Sequence, residues 1–478
     1  MKTLSITCFL AICVFHTSCK TQTEKQQNTP ITESPAPPNV IVILIDDAGY
    51  ADFGFMGSED LETPRIDELA ASGAVFTDAH VSATVCAPSR AGLMTGKYQQ
   101  RFGFEANNTG GIGLSDEVFT MADVFQDNGY TTYALGKWHL GEEESDHPNQ
   151  RGFDEFYGFL SGSRSYFPLK DPGEKNMLQH NGERVVFEGY LTDVLGDQSV
   201  RFVEESKETS FFMYLAYNAV HTPMEAKPED LEKYRNHPRQ DLAAMTWSLD
   251  QNVGKLLDKL EALGLRQNTL IYFLSDNGGA NNNQSENGVL KGWKGNHFEG
   301  GHRVPFILSY PSKIEPGKTF DGLSSSLDIF KTSAAAASLK IPKDLQLDGV
   351  DLLPYLTGEL QGDPHQQLFW RKLEESAARV GAFKTVRLEG VETVLYNLDE
   401  NIQETENLAG SNLAMLNELE EAYHNWEETL VAPLWDEGDE WMDVTYEIQK
   451  SLMENKQPLY EDIHSDAFKK NRIRINQD

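Results

Sequence analysis

The sequence predicts an α/β fold: a large, mostly parallel sheet flanked by helices, followed by a smaller C-terminal antiparallel sheet with a packed helix. Three observations carry this expectation. Unbroken apolar runs such as Val40-Ile41-Val42-Ile43-Leu44-Ile45 are the pattern of parallel strands covered on both faces. Segments of helical periodicity fall between such runs, and that alternation builds a parallel sheet. From about residue 346 the pattern changes to closely spaced strand candidates and one helical stretch.

In chain order, Lys2, an apolar stretch over 4–15 and His16-Thr17-Ser18-Cys19 form an export signal over residues 1–19, too short for a membrane span. Small residues before Cys19 suggest a lipoprotein-type signal with Cys19 lipidated as a membrane anchor, although His16 stands where leucine is usual; plain secretion is the alternative. Either way the protein is expected to be exported, in the periplasm or cell envelope. Residues 20–38, rich in Thr, Gln, Glu and Pro, read as a flexible linker. The larger, N-terminal domain is expected over 39–345, with strands at 40–45, 131–135, 211–216, 270–274 and 305–310. One helix starts at Thr63-Pro64 and stops at Gly73. Another spans 241–263, with Leu249, Val253, Leu256, Leu257 and Leu260 on one face. The C-terminal subdomain, 346–436, holds strand candidates at 368–370, 379–388 and 393–398 and a helix over 411–431. The tail, 437–478, is charged and shows no clear periodicity.

Composition narrows the partners. The 478 residues, 39% hydrophobic, suffice for a large core and a smaller one. With 41 basic against 74 acidic residues the formal charge is −33, which argues against nucleic acid. An acidic protein that handles an anionic substrate must concentrate its positive charge locally.

The polar residues that follow the strands are the candidate site, because ligands of open α/β sheets bind beyond the carboxyl ends of the strands. Asp46-Asp47 follow the first strand and Asp276-Asn277 follow the 270–274 strand. Either pair alone reads as a turn or a helix cap. Together, four oxygen donors at one sheet edge suit a hard divalent cation, calcium with magnesium as the alternative, rather than zinc. Gly136-Lys137-Trp138-His139 and Asn218-Ala219-Val220-His221-Thr222-Pro223 follow two further strands.

Cys86 is the only cysteine beyond residue 19, so it has no disulfide partner in the exported chain. A lone cysteine is ordinarily a buried small hydrophobe. Its neighbours point elsewhere. Cys86-Ala87-Pro88-Ser89-Arg90-Ala91-Gly92-Leu93-Met94-Thr95-Gly96 resembles the signature of the formylglycine-dependent sulfatases, of alkaline-phosphatase-like fold, and the likeness extends over roughly 39–436. The resemblance implies that a sulfatase-maturing (formylglycine-generating) enzyme oxidises Cys86 to formylglycine. It also implies that Asp46, Asp47, Asp276 and Asn277 hold a calcium or magnesium ion against the Cys86-derived group. The lysine and two histidines brought to the nucleophile would be Lys137, His139 and His221, and the last active-site lysine is carried to Lys294, with Lys291 left as structural or solvent-facing.

A sulfate monoester repels nucleophiles, so its hydrolysis needs dense positive charge, which the ion, Arg90, Lys137, Lys294 and protonated histidine would supply. The hydrated aldehyde would attack sulfur while His221, helped by Lys294, protonates the leaving alcohol. His139 would act as the base that releases sulfate, and Arg90 would hold the diol and the metal-site carboxylates in register. The expected substrates are sulfated carbohydrates: marine algal glycans such as ulvan or carrageenan, or glycosaminoglycans. Asn107, Asn108, Arg164, His180 and His302 are candidate sugar contacts, each with an ordinary loop role as the alternative. Two other functions stay open at this point, a phosphonate monoester or phosphodiester hydrolase with the same nucleophile and a noncatalytic sulfoglycan-binding lipoprotein.

Overall fold

The computed structural model describes Met1, residues 36–107 and residues 112–456. The leader with Cys19, residues 20–35 of the linker, Asn108 and residues 457–478 lie outside the described residues. No described helix is long and apolar enough to cross a membrane.

The main sheet has ten strands: β1 (Asn39–Ile45), β2 (Ala74–Phe76), β4 (Thr131–Lys137), β5 (Glu155–Phe159), β6 (Gln179–His180), β7 (Glu183–Arg184), β8 (Phe211–Ala216), β9 (Thr269–Ser275), β10 (Phe306–Ser309) and β11 (Lys318–Phe320). Short β3 (Ala79–His80) pairs with β12 (Ser324–Ser325) beside it. The order is β11-β2-β10-β9-β1-β8-β4-β5-β6-β7, and the five central strands from β9 to β5 are mutually parallel. The apolar runs explain this centre. Every residue of β1 is buried, and Val40, Val42 and Leu44 join one core while Ile41, Ile43 and Ile45 join another on the opposite face. Each such aliphatic side chain contributes about 1.5–3 kcal/mol on burial.

The expected helices are present as Pro64–Ala71 and Gln240–Ala262. Each of the five strands expected here is present, and Phe306–Ser309 runs antiparallel to β9.

The C-terminal sheet is a four-stranded antiparallel meander: β13 (Gln367–Lys372), β14 (Glu375–Val380), β15 (Phe383–Leu388) and β16 (Val394–Asn397). It corrects one expectation. The stretch 379–388 is not one strand but the end of β14, a turn at Gly381-Ala382, and β15. Gly381 has φ 55°, a left-handed conformation that suits glycine and lets the chain reverse. The Leu413–Glu427 helix packs on this sheet as expected. A second difference lies in the tail, where Asp439–Met453 is a helix whose Val444, Ile448, Leu452 and Met453 are buried in the core of the C-terminal sheet. Its apolar residues recur at intervals of four among charged ones, a sparse stripe that gives low overall hydrophobicity.

Candidate functional site

The central strand order places the site. β9, β1, β8 and β4 lie side by side, with Ile45 level with Ser275 and Leu44 and Gly136 both level with Ala216. The residues that follow these strands therefore emerge together. Gly136 makes room for the packing: at φ 91°, a Cβ there would stand 2.0 Å from the carbonyl oxygen of Ala216. Asn283 ties two of the emerging loops by donating to the carbonyls of Asp47 and Val220, each at 3.1 Å.

Cys86 is the first residue of the fully buried Cys86–Thr95 helix, whose amino-terminal end carries the positive end of the helix dipole and favours anions. Its Sγ lies 3.6 Å from Asp46 Oδ1 and 3.8 Å from Asp47 Oδ1. Burial pushes the Cys86 thiol well above its ordinary range, against the pull of Lys137 and Lys294. Arg90, one turn along, donates through Nε and Nη2 to Asp276 Oδ2 at 2.9 and 2.7 Å, and through Nη1 to the Lys137 carbonyl at 3.2 Å. Lys137 Nζ donates to Asp46 Oδ2 at 2.6 Å, and Lys294 Nζ to Asp47 Oδ2 at 2.8 Å.

Three carboxylates thus face Arg90, Lys137 and Lys294, all buried except Lys294, whose side chain keeps 19% of its surface exposed. Burial raises the Asp46 carboxyl to about 7 despite Lys137. Burial also acts to raise Asp47, but Lys294, His221 and Lys137 hold it below the usual carboxylate range. Asn277 donates from Nδ2 to Asp47 Oδ1 at 2.8 Å, which leaves its buried Oδ1 without a hydrogen-bond partner. A buried orphan amide oxygen beside Asp46, Asp47 and Asp276 is a hard donor set, and it fits a calcium or magnesium ion. Asp46, Asp47, Cys86 and His221 also lie close enough for one atom of each to share an ion.

His221 holds Nδ1 2.6 Å from the Thr222 carbonyl, so Nδ1 carries the hydrogen and Nε2 stands 3.6 Å from Asp47 Oδ2. Burial lowers its pKa to about 4, with Asp47 opposing. His139, at φ 60°, has Nδ1 buried without a hydrogen-bond partner. Burial, then Lys137 and Arg90, push it well below its ordinary range. Gly162 leaves space for its ring, since a Cβ there would meet His139 Nε2 at 2.5 Å.

The structure therefore brings together Asp46, Asp47, Cys86, Arg90, Lys137, His221, Asp276, Asn277 and Lys294 by direct contact, with His139 within reach of the same charges. Lys291 stands apart, donating to the Glu404 carbonyl and Asn455 Oδ1. Of the candidate sugar contacts, Asn107 lines the cleft over the site and accepts from the Ala87 N–H at 3.1 Å. His302 is corrected: it is fully buried, stacked on Trp370 at 4.0 Å, and cannot meet a substrate. His180 pairs with Glu155 at 3.0 Å, and Arg164 lies over the Phe159 and Phe187 rings. The sequence reasoning missed Ser163, Trp293, Lys372, Glu437 and Trp441, which also line this cleft of about 410 Å³. Trp293 sits within the motif that supplies Lys294, whereas Ser163 comes from a loop, Lys372 from the end of β13 and Glu437 and Trp441 from the tail, where no motif marks them.

Comparison with known proteins agrees with this geometry. The family model described as Sulfatase matches residues 38–339. The chain is 34% identical over 389 residues to the uncharacterized sulfatase YdeN of Escherichia coli (strain K12), covering 70% of this chain and 68% of that one. It is 32% identical over 383 residues to N-acetylgalactosamine-6-sulfatase of Mus musculus, covering 73% and 72%. Among solved structures, Ps i-CgsB in complex with k-i-k-neocarrahexaose is similar with TM-score 0.80 at 36% identity, covering 87% of this chain and 98% of that one.

Proposed function

Because the chain belongs to the sulfatase family and is a sulfuric ester hydrolase, we propose that it removes sulfate ester groups from sulfated polysaccharides or their oligosaccharides, with Cys86 matured to formylglycine and a divalent cation at Asp46, Asp47, Asp276 and Asn277. The single observation that carries this reading is the position of Cys86 Sγ, 3.6 and 3.8 Å from two buried carboxylates at a helix amino terminus and surrounded by Arg90, Lys137 and Lys294. The carbohydrate class is supported by two relatives, one named for a sulfated amino sugar and one solved with a carrageenan-type hexasaccharide.

Formylglycine would supply a hydrated aldehyde as nucleophile, and the cation would supply positive charge beside it. The chain's own residues do the rest. Lys137 and Lys294, held by Asp46 and Asp47, supply fixed charge where the sulfate oxygens bind. Arg90 keeps Asp276 ionised and in place. His221, with Nδ1–H committed to Thr222, can deliver a proton to the leaving alcohol from Nε2 only as the imidazolium, a form that Asp47 favours and burial opposes. His139 takes a proton when sulfate is expelled. We also propose export to the cell envelope with a lipid on Cys19, which mass analysis of the N-terminal peptide would test.

The test of function is sulfate release from sulfated algal and glycosaminoglycan oligosaccharides, using protein co-expressed with a maturing enzyme. Release by the matured protein, lost in Cys86→Ala and lowered by a chelator until calcium or magnesium is restored, is the expected result. Faster turnover of phosphodiesters than of any sulfate ester would overturn it in favour of a phosphodiester or phosphonate hydrolase.

A further inference from the structure

The cleft over His221 and Lys294 has a second wall, built by the Asp439–Met453 helix. Trp441, Val444, Thr445 and Ile448 line it. Their spacing puts them on one face of the helix. Val444 and Ile448 are buried and fix this face against the C-terminal sheet, whereas Trp441 keeps 41% of its surface exposed. Trp293, next to Lys294, lines the same cleft. One cleft therefore has a cationic end at the reacting centre and an aromatic end supplied by the tail.

Asn281 and Asn282 line the same cleft, and Asn107 lines it beside Cys86, where it accepts from the Ala87 N–H. Amides in the same cleft as an exposed indole suit a ring with one apolar C–H face and a hydroxylated edge, which is a pyranose. A purely hydrocarbon group would leave the Asn281 and Asn282 amides against apolar surface. The charge at this end is also informative. Lys372 is held by Glu437 at 3.1 Å, with Glu375 at 3.8 Å, so two carboxylates surround this cation. That balance disfavours a second sulfate and favours an uncharged ring.

Resting on the carbohydrate reading above, we propose that the Asp439–Met453 helix, with Trp441 as its platform, forms a subsite for a neutral pyranose adjacent to the sulfated sugar. The enzyme then selects an oligosaccharide over an isolated sulfate ester through a residue of its C-terminal tail.

The test is steady-state kinetics of the full-length matured enzyme on carrageenan and chondroitin sulfate hexasaccharides, with 4-nitrophenyl sulfate as a probe that has no adjoining sugar. For Trp441→Ala, the ratio of kcat/KM on the preferred hexasaccharide to kcat/KM on the probe is expected to fall about fivefold, mostly through KM, as loss of one aromatic contact allows. Trp441→Phe, which keeps a ring at this exposed position, is expected to recover most of the ratio. A ratio unchanged in Trp441→Ala while wild type cleaves a hexasaccharide overturns the subsite alone. Trp441→Phe as impaired as Trp441→Ala also overturns the stacking role. Wild type that hydrolyses the probe but neither hexasaccharide overturns the carbohydrate reading, and the subsite with it.

Discussion

Arg90 is fully buried, and its guanidinium is the only group that reaches both Asp276 and the backbone of the Lys137 strand among the described contacts of the site. The Cys86–Thr95 helix delivers it there, one turn after the nucleophile position, so a single short motif supplies both the reacting atom and the group that braces its surroundings. Burial alone acts to lower the charge on Arg90, yet Asp276, Tyr214 and Asp46 hold it fully protonated. Such a pair is bound more by the cost of breaking it than by any net gain from making it. Arg90→Met leaves the Asp276 carboxylate buried and unpaired. We expect a loss of about 3–5 kcal/mol in urea unfolding together with loss of sulfate release. Arg90→Met with wild-type stability would show that Asp276 has another counter-charge in the apo protein.

At the level of elements, Asp250 shows how the long Gln240–Ala262 helix fixes its neighbour. Its Oδ1 accepts from the backbone N–H groups of Arg65 and Ile66, each at 2.9 Å, and so satisfies the amino end of the Pro64–Ala71 helix from outside. Burial nevertheless raises the Asp250 carboxyl to about 6. Between the ordinary carboxylate range and pH 6 the folded protein keeps a proton that the unfolded chain releases, so stability falls as pH rises through that window and the penalty is complete above it. Asp250→Asn keeps the accepting oxygen and removes the titration. Chemical denaturation should find it more stable than wild type by roughly 2 kcal/mol at pH 8, with the difference vanishing near pH 4. A pH-independent difference would assign the effect to packing. These elements also mark what a sequence makes legible. The central strands and the two helices expected in the N-terminal domain announce themselves because burial on both faces, or on one helical stripe, leaves a strong periodic pattern. Gly381 hides its turn inside a continuous β-type run, and the Asp439–Met453 helix buries too few apolar residues to stand out among its charges.

For the whole molecule, the candidate metal positions are legible because each follows a strand of the parallel core, and neighbouring strands bring their ends together without any long-range specification, whereas Cys86 is legible from the motif around it. The cleft's outer wall is not legible, since it depends on how the C-terminal sheet docks on the main one. That junction is itself made of buried charge. Arg379 of β14 meets Asp78 at 2.7 Å, and Lys384 of β15 meets Glu299 at 2.9 Å and Glu404 at 3.0 Å. Trp370 adds a donor from Nε1 to the Val81 carbonyl at 2.7 Å and stacks on His302. His302 is held neutral by burial and by Lys384, so the charges across the junction are those of the lysine, the arginines and the carboxylates. Lys384 is fully buried between two glutamates, and its removal leaves both without their nearest cation. Lys384→Met should therefore cost about 3–5 kcal/mol in denaturant unfolding. Because Glu299 begins the short helix that follows the Lys294 loop and takes its N–H bond to Glu404, the same change should also slow sulfate release. A single cooperative transition moved to lower denaturant would show that the two sheets unfold together. Two separated transitions would show instead that the C-terminal sheet is released first, and the cleft wall carrying Trp441 would be lost with it.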